Sequence, residues 1–268
     1  MIPTSWLRHP FRRLLVFLFR RNNRPALLSS TLEDHVWDRL CGQAPILGRL
    51  PVDVRDRLQG VTRLLMAEKS FEGCGGMELT EDMVPLICAQ AALLQMGEGA
   101  DYYPGLDSIL VYPEAFVVEH PRYDELGMVT EAEEELAGES WQRGAVILSW
   151  QGVHRESADP EAGYNVVLHE FAHQLDDQTG EADGTPLLAD AAMVERWSEA
   201  FSEAFERHGA ALERDRHVLF DENAADSPAE FFATAVEIFF TLPGDLRAEF
   251  PAVYGVMRQH WGLDPAGW

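Results

Sequence analysis

Apolar residues recur at helical spacing through residues 31 to 70, where Leu32, Val36, Trp37, Leu40, Leu47, Leu50, Val54, Leu58, Val61 and Leu65 mark one stripe. A period near 3.6 predicts amphipathic helices. Gly73 to Gly76 interrupt the stripe. Thr80, followed by Glu81 and Asp82, then predicts the cap of a helix over 81 to 96, with Pro85 in its first turn. Next the pattern changes to short β-rich runs at 108 to 112 and 115 to 118, on either side of Pro113, and at 145 to 150. The acidic cluster between them, Glu131 with Glu133, Glu134 and Glu135, reads as a solvated turn. From residue 166 the apolar spacing is helical again and stays so to the end.

Helices, then strands, then helices indicate an α+β fold, with a small antiparallel sheet between helical N- and C-terminal parts. No internal repeat or low-complexity segment interrupts it. The strand at 145 to 150 has two readings. It is either an exposed edge able to hold a substrate backbone in extended form, or an interior strand.

Length and charge narrow the picture. At 268 residues and 46% apolar composition the chain can bury a sizeable core. Its net charge of −24 is unevenly placed: the first 24 residues carry six arginines and no acid, leaving 15 basic against 45 acidic side chains in the rest. Such a body repels nucleic acid and anionic lipid, which excludes direct nucleic-acid binding. Cys41, Cys74 and Cys88 are too few for a disulfide framework and fit a reducing cytoplasm.

Residues 1 to 30 read as a basic leader, poorly ordered or associated with a surface, and 31 to 268 as one domain. The apolar run from Leu14 to Phe19 is far short of the roughly 20 residues of a membrane span. No small-residue cleavage site follows it, so it is not a signal peptide. Arginines and aromatics in this mixture suit the surface of a membrane or another protein.

The chemistry lies in the apolar run at 166 to 176, which contains His169-Glu170-Phe171-Ala172-His173. Histidines four apart on a helix share one face, so both reach a single Zn²⁺ while Glu170 stands beside them as general base. Val166, Val167, Leu168, Phe171, Ala172 and Leu175 require that helix to be buried, and buried His and Glu need partners. A third histidine at the H-E-x-x-H-x-x-G-x-x-H spacing is absent, because Asp176 and Thr179 occupy the glycine and histidine positions. A carboxylate from a later helix is the alternative. Ser227 and Pro228 open such a helix, and Glu230 and Glu237, seven apart, share one of its faces. Either could ligate, with the other holding a ligand histidine from behind.

These stretches carry a family resemblance. His169 to Asp176, Asp226 to Phe240, Val111-Tyr112-Pro113 with Phe116-Val117-Val118, and Gly138 to Gly144 leading to Leu148-Ser149-Trp150 resemble the Mlc titration factor A family of zinc peptidases. The resemblance runs from about residue 30 onward. That family is similar in its catalytic core to the anthrax lethal factor protease. It implies a zincin-like fold of the glutamate-ligand (gluzincin) type and one Zn²⁺ per chain, held by His169, His173 and Glu230, with Glu170 as base. Glu230 is preferred over Glu237 because the family's ligand opens the Pro-Ala-Glu helix.

The activity so implied is cytoplasmic hydrolysis of a peptide or protein, an aminopeptidase being the kind the resemblance suggests. The same resemblance implies an alternative, a regulator that sequesters a glucose-responsive transcriptional repressor. An acidic body suits a basic partner surface. One position departs from the family, whose members carry a tyrosine seven residues before the glutamate ligand as an oxyanion donor. Here that position is Asn223, with Tyr164 and His217 as candidate substitutes.

Overall fold

The computed structural model describes residues 23–97, 100–114, 116–123, 129–136, 138–141 and 144–268. The leader expected at 1 to 30 lies mostly outside these residues. Its last part, 23–28, is a helical turn packed on the body: Arg24 donates to both oxygens of Glu68 at 2.7 and 2.8 Å. A side chain at Gly60 would strike the backbone carbonyl of Leu28, so glycine is what allows this close approach.

The helical stripe becomes α1 (Asp34–Gln43), α2 (Pro45–Gly48) and α3 (Val52–Glu68). After β1 (Ser70–Gly73) comes α4 (Met83–Leu93), buried almost throughout. It starts two residues later than the pattern predicts, and Thr80 supplies a backbone carbonyl to Met83 N in place of a side-chain cap. The strands β2 (Ser108–Tyr112), β3 (Phe116–Tyr123), β4 (Val129–Leu136), β5 (Gly138–Trp141) and β6 (Ala145–Ser149) follow.

The sheet corrects the expectation of a small antiparallel one. Its order is β1-β2-β6-β5, with β1, β2 and β6 parallel and only β5 antiparallel to its neighbour. The reason lies in β1, which the pattern missed: Ser70 to Gly73 is short and runs into glycines. A strand followed by a helix and then a neighbouring strand is a crossover unit, which joins parallel strands. The strand at 145 to 149 is interior, and β5 takes the edge beside it. A second correction concerns the acidic cluster, which is no turn: Glu131 to Glu135 belong to β4, paired antiparallel with β3. Ladder hydrogen bonds need only backbone groups, so charge alone did not exclude a strand.

After the sheet come α5 (Trp150–Ala158), α6 (Val166–Asp176), α7 (Ala191–Leu212), α8 (Pro228–Thr241), α9 (Pro243–Glu249) and α10 (Pro251–Trp261). Helix α8 is buried over most of its surface, with Phe231, Phe232, Phe239 and Phe240 in an aromatic cluster shared with Trp197, Phe201 and Trp261. Its neighbour α6 packs between α8 and the sheet. No described helix is long and apolar enough to cross a membrane.

Candidate metal centre

Helix α6 is fixed at its start by three groups. The Asn165 side chain accepts from Leu168 N at 3.1 Å as the N-cap, and Glu156 accepts from Val166 N at 2.7 Å. Both satisfy amide donors that a helix start leaves open, and the carboxylate suits the positive end of the helix dipole. Gly163, at φ +85, makes the turn into Asn165, and a side chain there would press on Ile238 of α8 and on Leu242 just after it. At the other end Asp176, 1% exposed, accepts from Gly184 N and Thr185 N and so ties down the following loop.

Between these anchors the helix presents His169 and His173 on one face, and α8 brings Glu230 across to them. Ser227 caps α8 by accepting from Glu230 N at 3.1 Å, with Pro228 at the first helical position, as the sequence pattern predicts. The Nε2 atoms of His169 and His173 are 3.2 Å apart, and the Glu230 oxygens lie 3.1 Å from the first and 3.3 Å from the second. Among the described residues these three form the one group of His, Cys and acidic side chains close enough to hold a metal ion. A tetrahedral centre with donors at about 2.0–2.1 Å spaces them about 3.3–3.4 Å apart. The triangle of donors therefore fits one small divalent ion without rearrangement.

Glu237 stands one level behind. Its Oε1 lies 2.8 Å from His169 Nδ1 and its Oε2 accepts from Asn165 N. An imidazole that donates through Nδ1 keeps the Nε2 lone pair for the metal face. Asn165 Nδ2 in turn donates to Gln90 Oε1 at 2.6 Å, which also accepts from Ser157 Oγ at 3.1 Å. A buried string thus runs from α5 and α4 to the back of His169. Sequence reasoning missed Asn165, Glu156 and Gln90. Asn165 had a readable signal, an Asn directly before an apolar helix; Gln90 had none.

The charges follow from burial and pairing. Burial works against ionising Glu230, but hydrogen bonds from His169 and His173 outweigh it and hold the carboxyl well below the usual range. Burial also opposes the imidazolium of His169, which Glu230 and Glu237 together more than offset. Glu170, 4% exposed, is pushed up to about 7 by desolvation against the pull of both histidines. Its Oε2 is buried without a partner, a free acceptor beside the donor triangle.

The three oxyanion candidates are placed differently. Asn223 is exposed, in the one-turn helix Asn223–Ala225. His217 lines a separate cavity with Leu219, Leu242 and Asp245. Tyr164, 48% exposed, directly precedes the cap of α6; desolvation, then the charges of Asp221 and Glu237, raise its phenol.

Two histidines from one helix and a glutamate from another match the donor set of the metallopeptidase class, with the buried Glu170 beside His169 in the chain. Comparison with known proteins agrees: the model of the glucose-regulated metallo-peptidase M90 family matches residues 17–261. A protein of Synechocystis sp. that carries no functional name is 34% identical over 231 residues, 85% of this chain and 84% of its own. Mlc titration factor A of Yersinia pestis (strain Pestoides F) and of Yersinia pseudotuberculosis (serotype O:1b) are each 33% identical over 226 residues, 82% of either chain. The chain belongs to the M90 metallopeptidase family, the family of Mlc titration factor A.

Proposed function

We propose that the protein is a zinc-dependent peptidase of zincin-like, gluzincin type, formed by residues 31–268, in which His169, His173 and Glu230 hold one Zn²⁺ and Glu170 is the general base. The observation that carries this reading is the donor triangle of 3.1 to 3.3 Å beside the unpartnered Glu170 oxygen. When bound, zinc would polarise the scissile carbonyl and make water nucleophilic at neutral pH. Glu170 takes a proton as the water oxygen bonds to the carbonyl carbon. The same carboxyl then returns the proton to the leaving amine as the C–N bond breaks. An aminopeptidase acting in the cytoplasm is the form the family resemblance favours.

Metal analysis with turnover on a peptide panel tests this. The protein is expected to hold about one Zn²⁺. Glu170→Gln should keep the metal and lose about 10²- to 10⁴-fold in turnover, while Glu230→Ala should lose the metal. Full zinc in Glu230→Ala and none in Glu237→Ala would reverse the ligand assignment.

A second reading is favoured by the relatives named Mlc titration factor A and by the acidic body: capture of a transcriptional repressor through its basic surface. Capture unchanged in Glu170→Gln would support it, and the two activities are compatible in one chain.

A further inference from the structure

The buried histidine that the metal centre does not use is His208. It stands on α7, 1% exposed, with its Nε2 3.0 Å from the backbone oxygen of Asp221. A carbonyl only accepts, so Nε2 carries the ring proton and Nδ1 is a bare lone pair. Nδ1 is buried and has no partner. In the neutral ring this leaves one acceptor unfilled; in the imidazolium it would leave a buried N–H and its charge without an acceptor, which is the larger penalty.

What the ring holds is the segment that leads to Glu230. Asp221 Oδ1 accepts from Ala224 N at 3.2 Å at the one-turn helix Asn223–Ala225, and Ser227 then caps α8 at Glu230 N. The ring also packs on Phe220 and Phe231, with centroids 5.6 and 5.9 Å away. It thus touches the chain at both ends of that segment, and Phe231 directly follows Glu230. Burial lowers the proton affinity of His208, outweighing the Asp221 carbonyl and the charges of Asp221 and Glu249, which favour the proton. Arg207, its neighbour on α7, lies over the Phe250 ring and donates to the backbone oxygen of Glu249.

We infer that His208 is a positioning residue for the metal centre: the neutral imidazole clamps segment 221–226 and the first turn of α8, keeping Glu230 against His169 and His173, and a proton on Nδ1 opens the clamp. The inference rests on Glu230 being a metal ligand, as read above. Opening puts the ring in water, where it takes a proton more readily, so acid draws the clamp open as pH falls below about 6.5.

Hydrogen exchange of the full chain reads the clamp, in excess Zn²⁺ so that metal occupancy is alike at both pH values. After correction for the intrinsic rate, amides of 219–226 in the wild type should exchange roughly three- to tenfold faster at pH 5.5 than at pH 7.5. His208→Gln keeps a donor for the Asp221 oxygen but does not titrate, so this acceleration should vanish. His217, exposed in the stretch before the segment, is the competing sensor, and His217→Gln should leave the response intact. Wild-type exchange indifferent to pH overturns the clamp whether or not the variants fold, and so does a response kept in His208→Gln or lost in His217→Gln. Zinc release to excess chelator tests the link to Glu230. Between the same two pH values it should accelerate roughly three- to tenfold more in the wild type than in His208→Gln. Equal acceleration removes the role at Glu230 and overturns the inference. A chain that takes up no zinc sinks the metal reading, and with it that role, while the exchange result still decides the clamp.

Discussion

Glu237 Oε1 lies 2.8 Å from His169 Nδ1, on the opposite side of the imidazole from His173 and Glu230. Glu237 is 5% exposed, and burial pushes its carboxyl up while the bond to His169 pulls it down. Burial prevails in that balance, and the bond to Glu237 sets which ring nitrogen of His169 faces away from His173 and Glu230. Glu237→Gln should weaken zinc binding by about 10- to 100-fold, or about 1.4–2.8 kcal/mol, without abolishing it. Competition with a chromophoric chelator reads this directly; an unchanged affinity would reduce Glu237 to a packing role.

Asn165 joins three elements, capping α6, donating to Gln90 and donating through its backbone to Glu237. Asn165→Ala removes the cap, worth about 1 kcal/mol, and takes from buried Gln90 Oε1 one of its two donors, worth about 0.5–1.5 kcal/mol. A loss of about 1.5–2.5 kcal/mol in urea unfolding of the metal-free protein is expected. Asn165→Asp keeps the cap oxygen but not the amide donor, so it should fall between. Equal stability of all three proteins would show that the string from Gln90 adds nothing.

The sequence makes the metal face of the candidate site and the glutamate behind it readable, and hides the groups that support them. His169, Glu170 and His173 follow from helical spacing, and Glu230 and Glu237 from a seven-residue spacing behind a Ser-Pro cap, because these are local regularities. Gln90 meets Ser157 and Asn165 across 67 and 75 residues, which no local pattern encodes. The sheet shows the same limit. Strands β2, β3 and β6 announce themselves by β-branched and aromatic runs, whereas four-residue β1 does not, and its omission turned a mainly parallel sheet into an expected antiparallel one.

Acid stability should depend on His260, whose folded-state value burial lowers to about 4 against about 6.5 when unfolded. Between those values the unfolded chain binds a proton that the folded chain refuses. The stabilisation is thus complete above about pH 6.5 and is lost as pH falls toward 4. With EDTA present, wild type should lose about 2 kcal/mol more than His260→Gln between pH 7 and pH 5. Parallel stability profiles for the two proteins would refute the shift.

The last prediction concerns the oxyanion. A donor must stand where negative charge develops on the carbonyl oxygen, and Asn223 is exposed, in the one-turn helix before α8. Tyr164 is the candidate that remains: it is 48% exposed, directly precedes the cap of the helix that carries His169 and His173, and its phenol feels the charges of Asp221 and Glu237. Tyr164→Phe should therefore lower kcat by about 10²-fold with zinc content and KM little changed, since the interaction belongs to the transition state. Asn223→Ala should cost less than about threefold, well below the loss expected for an oxyanion donor. The reverse pattern, with Asn223→Ala slow and Tyr164→Phe normal, would return the role to Asn223, and Asn223→Tyr should then raise turnover as the longer phenol reaches the same oxygen.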